Sequence, residues 1–123
     1  MANIINWFEI PAIDLDRAIK FYSEVFSYSS MQQMDFGGFK MAFFPAEEGS
    51  LGGALCKGDG YKPTQDGVVI YFSVQPDLNA ALSKVEAAGG KVIVPKRQIS
   101  EEYGYMGLFI DSEGNRVAMH SQN

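Results

Sequence analysis

Two side chains in this 123-residue sequence invite a catalytic reading: Glu9 and the single histidine, His120. A carboxylate and an imidazole make a common general acid–base pair, and imidazole changes its charge near neutral pH. Glu9 shares a strand face with Trp7, two residues before it. A carboxylate buried there without a partner would have a raised pKa and would suit proton transfer. The plainer reading is a strand-end carboxylate, in water or paired with a Lys or Arg. His120 lies three residues from the C-terminus. It reads either as a solvated side chain or as a pocket imidazole that hydrogen-bonds a ligand or shuttles its proton.

Other chemistries find little support. Cys56 is the only cysteine, has no neighbouring His, and reads as a small core hydrophobe. One histidine three residues from the C-terminus gives no basis for a Ser-His-Asp arrangement. Gly52-Gly53 and Gly58-Asp59-Gly60 are not phosphate cradles, because no Lys-Ser/Thr follows the first and no helix start follows either. The aromatic residues are more suggestive. Trp7 offers a flat apolar surface for a planar ligand, and Phe43 and Tyr71 extend such a lining. Phe109 and Met119 or Met41 could add to it, although Phe and Met are more often plain core. Tyr103 and Tyr105 flank Gly104 on a loop at a strand start, where aromatics could gate the mouth of a pocket or simply lie on the surface.

The elements that must position these residues follow from periodicity. Ile4–Ile10 is a β-branched and aromatic run closed by Pro11 and reads as a strand. Asp14 stands where a helix N-cap is wanted. Leu15, Ala18, Ile19, Tyr22, Val25 and Phe26 then recur at helical spacing. Strand candidates follow at Ser30–Asp35, Phe39–Phe44 and Leu51–Cys56, with turns at Gly37-Gly38 and 45–50. A Gly- and Pro-bearing linker occupies 58–67. The order then repeats: strand Val68–Val74, N-cap Asp77, a stripe of Leu78, Ala81, Leu82, Val85 and Ala88, and a stop at Gly89-Gly90. Strands Lys91–Val94, Tyr105–Ile110 and Arg116–His120 complete it, with a tight turn at 111–115. A shift of 63 residues lays Phe8 on Tyr71 and Asp14-Leu15 on Asp77-Leu78. This is an α+β pattern of two βαβββ half-modules, approximately 1–57 and 68–123, forming one domain. A ferredoxin-like sandwich fits less well, because each helix here is followed by three strands.

Composition sets the outer bounds. Hydrophobic residues make up 46% and charged residues 20%, enough apolar material for a packed core. The net charge of −5, with scattered basic residues, argues against nucleic-acid binding. One cysteine, no signal-like N-terminus and no apolar run near the ~18 residues of a membrane span imply a cytoplasmic protein that neither crosses nor anchors to a membrane.

Three segments resemble the glyoxalase / bleomycin-resistance / extradiol-dioxygenase superfamily, also called vicinal oxygen chelate proteins. They are Phe8–Tyr22, with its Asp-Leu-x-Arg-Ala and Phe-Tyr; Leu82–Gly90; and Asp111-Ser112-Glu113-Gly114-Asn115 before the last strand. The resemblance implies two half-modules forming a cupped mixed sheet with helices outside. It also implies a cup completed by a second copy in chains of this length, hence a homodimer. Metal-dependent members hold a divalent ion through His and carboxylate side chains on the first and last strands of each module. The corresponding positions fall at Trp7, on Leu51–Cys56, at Val69 or Ile70, and at Ala118, and none can hold a hard cation. His120 shares a strand face with Ala118, which the resemblance turns toward the cup.

The sequence therefore implies a metal-free and cofactor-free binder of a small molecule, its aromatic cup lined by Trp7, Phe43, Tyr71, Tyr103 and Tyr105. Glu9 and His120 would be its polar or catalytic groups, meeting across a dimer. The alternatives are a divergent glyoxalase-like lyase or isomerase, or a dioxygenase-type enzyme, and a structural or regulatory module.

Overall fold

Alternating burial along short strands sets the architecture. The computed structural model describes residues 3–123. Strand β1 (Trp7–Pro11) is followed by helix α1 (Leu15–Phe26), then β2 (Gln32–Phe36), β3 (Phe39–Phe43) and β4 (Gly52–Lys57). They make a four-stranded sheet in the order β1-β4-β3-β2, with β1 and β4 parallel and the other pairs antiparallel. The second half repeats the plan with β5 (Tyr71–Ser73), α2 (Asn79–Leu82), β6 (Lys91–Ser100), β7 (Gly104–Ile110) and β8 (Arg116–Ser121), in the order β5-β8-β7-β6.

Helix α1 forms where its chemistry directs. Asp14 adopts extended backbone and its carboxylate accepts the Arg17 N–H at 3.1 Å, which satisfies one of the orphan donors of the first turn. Leu15, Ala18, Phe21, Tyr22 and Val25 are buried on one face. Phe21 joins that face beside the anticipated stripe, whereas Ile19 and Phe26 are only partly buried. Ser27 ends the helix in the left-handed region, φ 60°, returning its N–H to the Ser23 carbonyl.

Three expectations are corrected. The first strand begins at Trp7 rather than Ile4, and Ile4 and Ile5 are exposed outside it. The second helix has only four α-helical residues, then turns through Gly89, because Lys84 and Val85 donate to carbonyls three residues back. Its apolar contacts survive: Leu78, Ala81, Leu82 and Val85 are still buried. Strand β6 runs on to Ser100 past Pro95, which is tolerated because β6 is an edge strand with several register shifts against β7.

The internal repeat is also out of step by one residue between strands and helices. Phe8 matches Phe72, not Tyr71: both rings enter the core and meet edge to face at 5.8 Å. Trp7 and Tyr71 therefore hold equivalent outward positions, 42% and 53% exposed.

A single apolar cluster unites the halves, with Phe21 and Tyr22 of α1 packed among Phe109, Val117 and Met119 of the second sheet. The turn 111–115 fastens them. Asp111 is buried and accepts the Tyr22 hydroxyl at 2.7 Å and the Glu113 and Asn115 N–H groups at 2.9 Å each. Glu113 accepts the Ile13 and Asp14 N–H groups at 2.9 and 2.8 Å and the Arg17 guanidinium at 2.8 and 3.1 Å. Asn115 donates to the Pro11 carbonyl at 2.8 Å.

Burial acts most strongly on Glu113 and pushes its pKa up. The bonds from Arg17, the Asp14 N–H and the Ser112 hydroxyl outweigh it and hold the carboxyl below its ordinary 4.5. A depressed carboxyl adds stability above the unfolded-state value and loses it as pH falls through the folded-state one. Glu113→Gln should therefore cost about 1–3 kcal/mol at neutral pH, from buried donors left underused. It should also flatten the loss of stability in acid below about pH 4.5. Urea unfolding of both proteins across pH would show it; parallel curves would refute this role.

Candidate functional site

The outward face of the first sheet is defined by what its other face buries. Ile10, Ala42 and Leu55 belong to the core, so their alternating neighbours point away from it. The in-register pairs place Trp7 and Glu9 beside Gly52, Ala54 and Cys56 of β4, then Phe39, Met41 and Phe43 of β3, then Gln32, Met34 and Phe36 of β2. Glu9 is the one charged residue among these strand positions. Phe39, Met34 and Phe36 are 40%, 44% and 56% exposed, so the face is apolar and open.

Glu9 is exposed but not idle. One oxygen accepts the Tyr61 hydroxyl at 2.7 Å, and the other accepts the Trp7 indole N–H at 3.3 Å. No Lys, Arg or His pairs with it among the described residues. The Trp7 ring meets Phe43 edge-on at 6.0 Å, and Phe39 meets Tyr61 at 6.1 Å. Trp7, Phe43, Asn6, Ser30, Gln32 and Gly52 help line a cavity of about 490 Å³. The hydrogen bond to Glu9 raises the Tyr61 phenol to about 12, so Tyr61 stays a donor. Burial, reinforced by the Glu9 charge, raises the Cys56 thiol to about 11.

Tyr61 was not visible as a site residue in the sequence. It lies in the 58–67 connection, and the available signal was the one aromatic in a Gly- and Pro-bearing polar stretch.

On the second sheet, Val117 and Met119 are core, so Arg116, Ala118 and His120 face outward with Tyr71 and Ser73. Tyr71, Ser73, Ile99, Tyr103 and His120 line a second cavity of about 400 Å³. His120 Nε2 lies 2.6 Å from the Tyr103 carbonyl. A carbonyl only accepts, so Nε2 carries the proton and a neutral ring keeps Nδ1 as an acceptor.

The anticipated site thus divides. Trp7, Phe43 and Glu9 share the first face, while Tyr71, Tyr103 and His120 share the second. The two cavities have no lining residue in common, and no hydrogen bond joins Glu9 to His120 within the chain. Exposure of Glu9 also means that one chain does not supply the desolvation on which its proton-transfer reading rested.

Tyr105 belongs to neither face. It packs against the core from the opposite side of β7, with Lys96 Nζ 4.7 Å above its ring. Strand alternation separates it from the Tyr103 cavity, as it separates Phe109 and Met119, which are fully buried. Gly104 between the two tyrosines has φ 78°, and a Cβ there would meet the Ser121 carbonyl, so this corner admits only glycine.

A family description, "Glyoxalase/Bleomycin resistance protein/Dioxygenase superfamily", matches residues 4–119. The chain belongs to this superfamily. Solved structures agree on the fold. A glyoxylase/bleomycin resistance protein/dioxygenase domain from Frankia sp. EAN1pec superposes with TM-score 0.75 at 16% identity over the whole of both chains. A glyoxalase/bleomycin resistance protein from Albidiferax ferrireducens T118 gives 0.70 at 16% identity, covering 98% of this chain and all of the other. Glyoxalase I from Zea mays gives 0.70 at 20% identity, covering 94% of this chain and 43% of that one, so the chain spans less than half of the maize protein. No curated protein matches the sequence. Among the described residues no helix is long and apolar enough to cross a membrane.

The residues present do not fit the divalent metal that the superfamily implies. Trp7 and Ala118 offer no donor, Val69 and Ile70 are aliphatic, and the outward positions of β4 carry neither His nor carboxylate. Among the described residues no three His, Cys, Asp or Glu side chains gather where they could hold a metal ion.

The raised thiol gives a direct test of the first face. Cys56 should react with a thiol reagent at mildly alkaline pH about tenfold or more slowly than in the urea-unfolded chain, because little thiolate forms and the side chain is buried. Equal rates would refute that placement.

Proposed function

We propose that this protein binds a small, partly planar molecule between the Trp7 face of one copy and the His120 face of a second, without a catalytic metal. The observation that carries this reading is the pair of open cavities on two different sheet faces. Each holds aromatic rings and is open to solvent; Glu9 stands beside the first on the same sheet face as Trp7, and His120 lines the second. Ligand sites usually bury most of their ligand, which neither face does alone. Two faces with exposed large apolar side chains also favour covering each other.

Trp7, Phe43 and Glu9 supply one wall of the cup, and Tyr71, Tyr103 and His120 the other. The aromatic rings stack on the ligand. Glu9 accepts from ligand donors, and His120 Nδ1 accepts from the far side. Retention of the ligand is the role assigned to these groups. A lyase or isomerase would need Glu9 closed off from water, and that is not its setting in a single chain.

The test uses Trp7, the only tryptophan, as its reporter. Coumarin, a neutral planar aromatic, should quench Trp7 emission saturably. Tyr103→Ala and His120→Ala, both on the other face, should weaken that quenching about threefold or more, consistent with losing roughly 0.7 kcal/mol or more of contact. Sedimentation should show a dimer. A monomer whose quenching ignores both substitutions would sink the shared cup.

A further inference from the structure

The charge pattern of the first sheet narrows what the cup takes. The outward positions of β1 to β4 are Trp, Pro, Gly, Ala, Cys, Met, Phe and Gln, with a single carboxylate, Glu9, among them. That carboxylate has no cation against it among the described residues. Its two bonds come from neutral donors on aromatic rings, Tyr61 at 2.7 Å and Trp7 at 3.3 Å. Each of these rings is backed by another, Phe39 behind Tyr61 and Phe43 behind Trp7.

Neutral donors fix a carboxylate in place but leave its charge uncancelled, and each oxygen can accept further bonds. Aromatic faces present negative quadrupole density to whatever lies over them. A carboxylate and several ring faces on one open apolar surface attract the same chemical class, an organic cation, and disfavour an anion. The net charge of −5 acts in the same direction at long range.

We infer that the Trp7–Glu9–Tyr61 cluster recognises the ammonium group of a cationic aromatic ligand, with Tyr61 as a positioning residue that holds the Glu9 carboxylate between the rings. This rests on the binding reading above and adds the ligand's charge to it. The connection 58–67 is thereby part of the site. Tyr61 comes from that segment, and Gly58 lets it start flush against Phe39, since a Cβ at Gly58 would meet the Phe39 ring.

The experiment compares three probes of similar size on the intact protein at neutral pH, read by Trp7 emission: phenyltrimethylammonium, neutral N,N-dimethylaniline and anionic benzenesulfonate. The cation should bind about tenfold more tightly than the neutral ring, and the sulfonate should bind more weakly than either. Glu9→Gln should abolish the advantage of the cation over dimethylaniline, so that the two probes bind that variant within about twofold of each other. Tyr61→Phe keeps the ring and loses the bond to Glu9. It should reduce the advantage of the cation in part, and Tyr61→Ala should reduce it further, with circular dichroism confirming the fold of each. Equal binding of cation and neutral ring would overturn the inference and leave the cup standing. So would a preference that survives Glu9→Gln, or a Tyr61→Phe protein indistinguishable from the parent. Failure of every probe, coumarin included, would remove both.

Discussion

The turn from Asp111 to Asn115 holds this protein in one piece. Its two carboxylates are buried, and each takes at least one hydrogen bond from the other half of the chain. Asp111 takes the Tyr22 hydroxyl, and Glu113 takes the Ile13 and Asp14 N–H groups just before α1 together with the Arg17 guanidinium. A buried carboxylate without such partners would be severely destabilising. The same contacts keep the Tyr22 phenol well above its ordinary value, with desolvation the first cause and Asp111 the next. Because α1 is clamped at its N-terminus, the strand before it is clamped too, and with it the direction in which Trp7 and Glu9 point.

Most of this order was legible in the residues. Asp14 as a cap, the stripe from Leu15 to Val25, and the repeated strand-helix-strand-strand-strand plan all follow from short-range chemistry. The misread parts have physical reasons. The second helix is tightened by three-residue hydrogen bonds that leave the same apolar positions buried, so periodicity could not distinguish it from a full α-helix. Pro95 reads as a strand terminator, but an edge strand with register shifts absorbs it. Tyr71 was set against Phe8 because the helices align at that shift, whereas the strands align one residue further on.

The site was legible in its parts more than in its arrangement. Trp7, Phe43, Glu9, Tyr71 and His120 face outward, as alternation around the core residues requires, and Tyr103 joins His120 from the turn before β7. Which of them share a face depends on the route of the chain between the sheets. That route also brings Tyr61 over Glu9 across 52 positions of sequence, beyond the reach of any local pattern. Tyr105 shows the converse: one glycine between two tyrosines is enough to send the second ring to the opposite side of the strand.

The asymmetry of the fastening turn bears on the history of such a chain. The second half provides the carboxylates, and the first half provides the Tyr22 hydroxyl, the Arg17 guanidinium and the Ile13 and Asp14 N–H groups, so neither half is chemically complete when cut free. A lone first half would leave the Ile13 and Asp14 N–H groups without Glu113, and a lone second half would leave Glu113 without the amides and guanidinium that satisfy it. If the repeat arose by duplication, the single unit had to find these partners in a twin, and joining the copies made an association between molecules permanent within one.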